Sequence, residues 1–256
     1  MLLAIDIGNS NVVIGCVNGE NRTVAQFRMV TDLKKTGDEY AAGISTILEY
    51  NGVDCAGFEG AIICSVVPPL TEPFKEAVER ITGHKALVVG AGVKTGLNIM
   101  IENPASLGGD LVTASVAAMA EYPLPVIVID MGTATTITVV DKGNKFIGGA
   151  IIPGVALSMN ALSSGTSLLQ KVTIDAPKKC ISGTTTECMQ SGAVYGNAAM
   201  LDGMIDRFQE ELGCEASIVA TGGIAQKIIP YCKHKIVYEG DLLMKGLNII
   251  YKKNKK

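Results

Sequence analysis

The stretch Leu2-Leu3-Ala4-Ile5-Asp6-Ile7-Gly8-Asn9-Ser10-Asn11 decides the fold, because it occurs twice. About half the chain later it returns as Val126-Ile127-Val128-Ile129-Asp130-Met131-Gly132-Thr133-Ala134-Thr135. Each copy has four aliphatic or small residues, an aspartate, an apolar residue, a glycine and then short side chains that are mostly amides or hydroxyls. A repeat on this scale indicates two related domains, since solenoid repeats have periods of roughly 20–50 residues.

Each copy predicts a β-hairpin. The apolar run is short, it ends in a glycine turn, and a second β-branched run follows at Val12–Val17 in the first copy and Thr136–Val140 in the second. The break at Tyr122–Pro125 lies just before the second copy. We therefore predict one domain over residues 1–122 and another over residues 123–256.

The rest of the chain alternates between strand and helix patterns. Further strands are predicted at Arg22–Val30, Gly60–Val67, Lys85–Val89, Lys145–Ile147 and Ser217–Thr221. Helices are predicted from an N-cap at Asp38, over Thr71–Thr82 after a stop at Pro68-Pro69, over 107–121 and over 185–212, with 90–106 as a loop. This alternation is typical of an α/β fold.

Composition excludes several classes of protein. The 256 residues carry a net charge of −3. Binding to nucleic acid or to an anionic membrane needs a positive surface, so neither is expected. No apolar run reaches the roughly 18 residues of a membrane span, and the first residues lack a secretory signal pattern, so we expect a cytoplasmic protein with no membrane partner. The seven cysteines form no Cys-x-x-Cys pair, and His84 and His234 are the only histidines. A zinc cage or a histidine-based nucleophilic site is therefore not expected.

The repeated Asp-x-Gly turn suggests phosphate and metal chemistry. Glycine lets the backbone turn and approach a ligand closely, and the amides and hydroxyls that follow can bond phosphate oxygens. An aspartate at a strand end can hold Mg²⁺ directly or through water, because hard cations prefer oxygen ligands. A single copy would more often be a turn former. Two copies, with a glycine turn at Thr221-Gly222-Gly223, favour a nucleotide site.

These motifs resemble those of type III pantothenate kinases, in the superfamily of acetate and sugar kinases, Hsp70 and actin. The matching pieces are Asp6–Asn11, Glu102-Asn103-Pro104, Leu107–Asp110, Ile129–Thr136, Gly148–Gly154 and Thr221-Gly222-Gly223, in the family's order over nearly the whole chain. The resemblance implies two duplicated ribonuclease H-like (actin-like ATPase) domains with a cleft between them. It also implies ATP-dependent phosphorylation of pantothenate to 4′-phosphopantothenate, the first step of coenzyme A synthesis, by a homodimer.

The resemblance also implies a role for each matching residue. The ATP-binding residues would be Asp6, Ile7, Gly8, Asn9, Ser10, Asn11, Val12, Val13 and Thr133, with Asp6 holding Mg²⁺ through ATP. Asp110 would be the catalytic base. Gly108, Gly109, Asp110, Leu111 and Thr185 would bind the substrate. Asp130 would bind a monovalent cation, K⁺ or NH₄⁺. Phosphoryl transfer needs mainly positioning and charge stabilisation, so residues of these types can support the reaction without a cysteine or histidine nucleophile.

Two departures from the family pattern fall on the acceptor side. Leu111 stands where the family has arginine, and Ile101 where it usually has tyrosine. Loss of a charged hydrogen bond costs about 1.5–3 kcal/mol. Two alternatives therefore stay open beside pantothenate kinase: a related kinase with another hydroxylated acceptor, and a non-catalytic nucleotide-binding regulatory protein.

Overall fold

The computed structural model describes residues 1–255. The strands are β1 (Leu2–Ile7), β2 (Asn11–Val17), β3 (Thr23–Val30), β4 (Gly60–Ser65), β5 (Ala86–Val88), β6 (Asn98–Ile99), β7 (Val126–Met131), β8 (Ala134–Val140), β9 (Lys145–Pro153), β10 (Ser217–Thr221) and β11 (Val237–Tyr238). The α-helices are α1 (Gly37–Tyr50), α2 (Pro68–Thr82), α3 (Gly109–Glu121), α4 (Val155–Ser164), α5 (Thr185–Ser191), α6 (Asn197–Leu212), α7 (Ala225–Ile228) and α8 (Leu242–Asn254).

Two mixed sheets share one strand order. The first sheet runs β3-β2-β1-β4-β5, and the second runs β11-β10-β7-β8-β9-β6. In each sheet three antiparallel strands are followed by two parallel ones, and β6 is an extra edge strand of the second sheet. The matching order confirms the predicted α/β fold with two duplicated halves.

The first compact unit contains the first sheet and its helices. It comprises Met1–Leu97, Glu102–Ala120 and the segment from Asp241 through α8. The central strand β1 is buried along most of its length, because its apolar side chains pack against helices such as α1 and α2. Tyr40 of α1 and Phe74 of α2 stack within this core, with ring centroids 4.1 Å apart.

The second compact unit contains the second sheet. It comprises Asn98–Ile101 and Glu121–Gly240. The apolar side chains of β7 and β8 pack with those of α6 and α7 in a separate core. This division differs from the predicted domains 1–122 and 123–256 chiefly at the end of the chain. Helix α8 follows the second sheet in sequence but packs on β1, β2 and β4 of the first.

Two helices begin earlier than the sequence indicated. Helix α1 is capped by Thr36 rather than Asp38, because the Thr36 hydroxyl accepts from the Glu39 N–H while the Glu39 carboxylate accepts from the Thr36 N–H. Helix α2 begins at Pro68 rather than Thr71. Proline is tolerated in a first helical turn, where its missing N–H would have no helical partner, so the Pro pair starts this helix instead of stopping a strand.

Several elements carried no clear sequence signal. Strand β6 lies within the predicted loop at residues 90–106, and neither α4 nor α8 was predicted. The long helix predicted over 185–212 is divided into α5 and α6 by one wide helical turn at Gly192–Gly196. Within residues 1–255, no helix combines the length and the apolar character needed to cross a bilayer.

Candidate functional site

The turn after β1 presents polar side chains to solvent. Asn9, Ser10 and Asn11 are exposed, and the Gly8 N–H closes the turn by donating to the Asn11 carbonyl oxygen at 3.0 Å. β1 and β2 pair in register, so this turn is the tip of a hairpin, as predicted. Its short side chains and backbone N–H groups form a surface of the kind that binds phosphate oxygens.

Thr31 holds this turn from behind. Its Oγ1 donates to the Gly8 carbonyl oxygen at 2.6 Å, and its N–H donates to the Ser10 carbonyl oxygen at 3.2 Å. Thr31 follows β3 directly, so it extends the pairing of β2 and β3 by one residue. The sequence analysis did not identify Thr31, because the local pattern does not indicate which turn a threonine after a strand will contact.

Asp110 lies in the first turn of α3. Its Oδ1 accepts from the Leu111 N–H at 2.8 Å, and a Cβ at Gly108 would force this carboxylate oxygen to shift. Burial raises the pKa of the Asp110 carboxyl, partly offset by hydrogen bonds from backbone N–H groups. A half-buried carboxylate with a raised pKa is suited to accept a proton from a hydroxyl.

Cys64 lies close to both candidate aspartates of the first unit, Asp6 and Asp110. It lies beside Asp6 in the parallel pairing of β1 with β4, and its sulfur is 3.1 Å from where a Cβ at Gly109 would stand. Burial raises the pKa of the Cys64 thiol well above its usual value, and the negative charges of Asp6 and then Asp110 act in the same direction. The thiol therefore stays protonated beside its strand partner Asp6. The fold thus brings Asp6 and Asp110 to one buried sulfur.

Asp130 occupies the matching place in the second unit. It pairs with Thr136 on β8 and with Thr221 on β10, as Asp6 pairs with Val13 and Cys64. Because the two positions share one topology, the repeated aspartates are structural equivalents as well as sequence repeats.

The turn after β7 packs tightly against its neighbours. Thr133 is exposed, and its carbonyl oxygen accepts from the Gly154 N–H at 3.2 Å. Gly222 has a φ of +94°, and a Cβ there would lie 2.6 Å from the Met131 carbonyl oxygen. Both constraints require glycine at position 222. The contact with protein backbone therefore accounts for this glycine, and no bound ligand is needed to explain it.

Thr185 lies in a different part of the second unit. It is the first residue of α5, whose N-cap is Thr184, and it borders a mainly apolar groove of about 550 Å³. The groove is lined by Val155, Ser158, Met159, Leu162, Leu169, Thr185, Cys188, Met189, Gly192, Ala193 and Asn197. Asp130 and Thr133 are not part of this lining. Thr185 is therefore grouped with apolar side chains of α4 and α5.

The two departures from the family pattern have different surroundings. Leu111 is half-buried in α3 and contributes its backbone N–H to Asp110. Ile101 is half-buried just after β6. Neither side chain can form a charged hydrogen bond.

The carboxylate of Asp6 suits a metal ion that is bound partly by the protein and partly by a phosphate. Within residues 1–255, no cluster of three or more His, Cys, Asp or Glu side chains could hold a metal ion by itself. Mg²⁺ is commonly bound by one or two carboxylates together with substrate phosphates. Asp6 beside the exposed amides and hydroxyl of the first turn fits that pattern.

Sequence comparison identifies close relatives. The sequence model of the type III pantothenate kinase family matches residues 2–207. A type III pantothenate kinase from Exiguobacterium sp. (strain ATCC BAA-1283 / AT1b) is 38% identical over 256 residues, which is the whole of both chains. Another from Moorella thermoacetica is 39% identical over 254 residues, covering 99% of this chain and 100% of the relative.

Solved structures share the fold at low sequence identity. A conserved Campylobacter jejuni protein described as a candidate Baf family transcriptional activator superposes with a TM-score of 0.60 at 21% identity, covering 98% of each chain. Component A of the Acidaminococcus fermentans (R)-2-hydroxyglutaryl-CoA dehydratase gives 0.58 at 14% identity, covering 99% of each. These likenesses show that the chain shares its fold with solved structures, and the full-length sequence match shows the family. The chain belongs to the type III pantothenate kinase family.

Proposed function

We propose that this chain transfers the γ-phosphoryl group of ATP to the primary hydroxyl of pantothenate, opening coenzyme A synthesis. One observation within the fold carries the proposal. Asp110, a half-buried carboxylate with a raised pKa, follows Gly109, which lies against the sulfur of buried Cys64, and Cys64 is the strand partner of Asp6. A proton acceptor is thereby kept near the aspartate at the head of the hairpin, as phosphoryl transfer requires.

The reaction follows from these roles. The acceptor hydroxyl gives its proton to Asp110 as its oxygen attacks the γ-phosphorus, and the bond from that phosphorus to the bridging oxygen breaks to release ADP. The Leu111 N–H, which donates to Asp110, holds the carboxylate in one orientation. Positioning of this kind contributes to catalysis because it removes the entropic cost of bringing the groups together.

ATP would be held by the hairpin. The segment Asp6–Val13 supplies backbone N–H groups and the side chains of Asn9, Ser10 and Asn11, and Thr133 supplies a further hydroxyl. Mg²⁺ bound with ATP, and held by Asp6 directly or through water, would neutralise charge on the phosphates. Asp130, the equivalent of Asp6, would hold a monovalent cation, K⁺ or NH₄⁺.

Pantothenate would contact Gly108, Gly109, Asp110, Leu111 and Thr185. Leu111 is the reason to keep a second candidate function, a kinase for another hydroxylated acceptor, because leucine cannot pair with the carboxylate of pantothenate. We further propose a homodimer and a cytoplasmic location, where ATP is available and unpaired cysteines stay reduced. Sedimentation would test the dimer.

An ADP-release assay with pantothenate, Mg²⁺ and K⁺ tests the proposal. We expect turnover to fall about 10²–10⁴-fold in Asp110→Asn, which keeps the shape of the side chain and loses the base. Asp38→Asn, on the exposed start of α1, is the matched control and should retain activity.

Three results would count against parts of this proposal. Unchanged turnover in Asp110→Asn would remove the assigned base. Faster turnover with another alcohol than with pantothenate would favour the second kinase. ATP binding by calorimetry without ADP release for any acceptor would favour a regulatory protein.

A further inference from the structure

We propose that Thr31 is a positioning residue for the nucleotide phosphates, because it turns two carbonyl groups of the hairpin turn toward β3. This inference rests on the proposed function, in which the turn at Gly8–Asn11 receives the phosphates. Thr31 itself would not touch the nucleotide.

The two hydrogen bonds of Thr31 act on alternate residues of the turn. The hydroxyl bond to the Gly8 carbonyl is 2.6 Å long and the N–H bond to the Ser10 carbonyl is 3.2 Å long. A carbonyl oxygen carries a partial negative charge and would repel a phosphate. Binding these oxygens on the β3 side therefore favours a turn conformation that offers donors to the phosphates.

The segment that carries Thr31 is anchored to the core. The hydroxyl of Tyr40 donates to the Asp32 carbonyl oxygen at 2.7 Å and accepts from the Asp32 N–H at 3.1 Å. Tyr40 is fully buried and stacks on Phe74. A side chain held on both its ring and its hydroxyl has little freedom to move. Thr31 thus connects the turn to a rigid part of the first unit.

Residue 31 permits a sharp experiment, since valine has the shape of threonine without its hydroxyl. We would compare Thr31→Val with Thr31→Ser, which keeps the hydroxyl. Thr82→Val is the matched control, because the Thr82 hydroxyl also donates to a backbone carbonyl, that of Val78, at a half-buried place in the same unit. Tyr40→Phe tests the anchor.

The readouts are KM for ATP, KM for pantothenate, kcat, and the Kd of a non-hydrolysable ATP analogue by calorimetry. For Thr31→Val we expect KM and Kd for the nucleotide to rise about fivefold to twentyfold, with KM for pantothenate changed less than about twofold. Thr31→Ser should stay within about threefold of the unsubstituted protein. Tyr40→Phe should raise the nucleotide Kd about threefold, and Thr82→Val should leave it unchanged.

Two outcomes would overturn the inference. One is an unchanged nucleotide Kd in Thr31→Val. The other is an equal rise in both KM values that Thr31→Ser fails to reverse, which would indicate a merely structural role. A failure of the proposed function can be distinguished from a failure of this inference. If the unsubstituted protein binds the analogue without phosphorylating pantothenate, weaker binding in Thr31→Val still supports the positioning role.

Discussion

Asp6 and Asp110, the two aspartates of the proposed site, both lie close to the buried residue Cys64. Cys64 is the strand partner of Asp6, and its sulfur lies against Gly109, the residue before Asp110. Asp110 is held in a place where its charge is poorly solvated, and this is the source of its raised pKa. The burial that would suit Asp110 to accept a proton therefore also makes its ionised form destabilise the folded state.

The raised pKa of Asp110 predicts opposite effects of pH on activity and stability. Under the proposed role of Asp110 as the base, activity should fall as the pH drops through the raised pKa, because the carboxylate becomes protonated. A raised native pKa contributes stability below the unfolded value of about 3.9, and that contribution is lost as the pH rises through the native value. Asp110→Asn should therefore gain stability relative to the unsubstituted protein between pH 4 and pH 7.5, as measured by urea midpoints.

Asp175 provides a control of opposite sign for that measurement. A hydrogen bond from Lys227 at 2.8 Å is the main reason that the pKa of this exposed carboxyl is lowered. Its contribution is present above the unfolded pKa and is lost as the pH falls through the native value. Asp175→Asn should thus lose stability relative to the unsubstituted protein as the pH rises. A parallel response of the two variants would contradict the assignment for Asp110.

At the scale of elements, α8 completes the first unit from the far end of the chain. Its side chains Leu242, Leu247 and Ile250 are fully buried. Gly246 allows the helix to lie against the Thr113 carbonyl, which a Cβ would overlap. Buried Asn248 donates to the Asn21 side chain at 2.7 Å, so the polar group within this interface has a partner.

Asn254, at the end of α8, ties the helix to residue 94. Its side chain accepts from the Lys94 N–H at 3.0 Å and donates to the Lys94 carbonyl oxygen at 2.9 Å. Asn254→Ala should lower the free energy of unfolding by about 1–2 kcal/mol in urea, because both bonds are lost together. Asn51→Ala is the matched control, since the Asn51 side chain donates only within its own helix. Equal losses in the two variants would show that the tie to Lys94 contributes nothing.

At the scale of the whole molecule, the two compact units do not follow the order of the chain. The first unit needs α8, which follows the second sheet in the sequence, to cover apolar side chains of its own sheet. A fragment of residues 1–122 should therefore bind a hydrophobic dye and unfold without a cooperative transition. The same fragment joined by a flexible linker to residues 241–256 should unfold cooperatively. Cooperative unfolding of the shorter fragment with no dye binding would contradict this account.

The hairpins could be predicted from sequence because their information is local. Alternating apolar runs and glycine turns specify strands that pair with their neighbours, and the repeat then predicted two related halves. The helix starts are not specified by local sequence alone, since Thr36 and Asp38, or Pro68 and Thr71, can all begin a helix. The capping partners within the folded chain select between them.

The sequence by itself determined the duplicated α/β architecture, the polar turns at Asp6 and Asp130, and the motifs that identify the family. Only the tertiary structure decided that Cys64 pairs with Asp6 and contacts Gly109 beside Asp110, that Thr31 bonds to the first turn, and that α8 belongs to the first unit. The physical reason is distance along the chain. Local hydrogen bonding and side-chain period fix a hairpin, whereas these contacts join segments whose meeting depends on the packing of the whole unit.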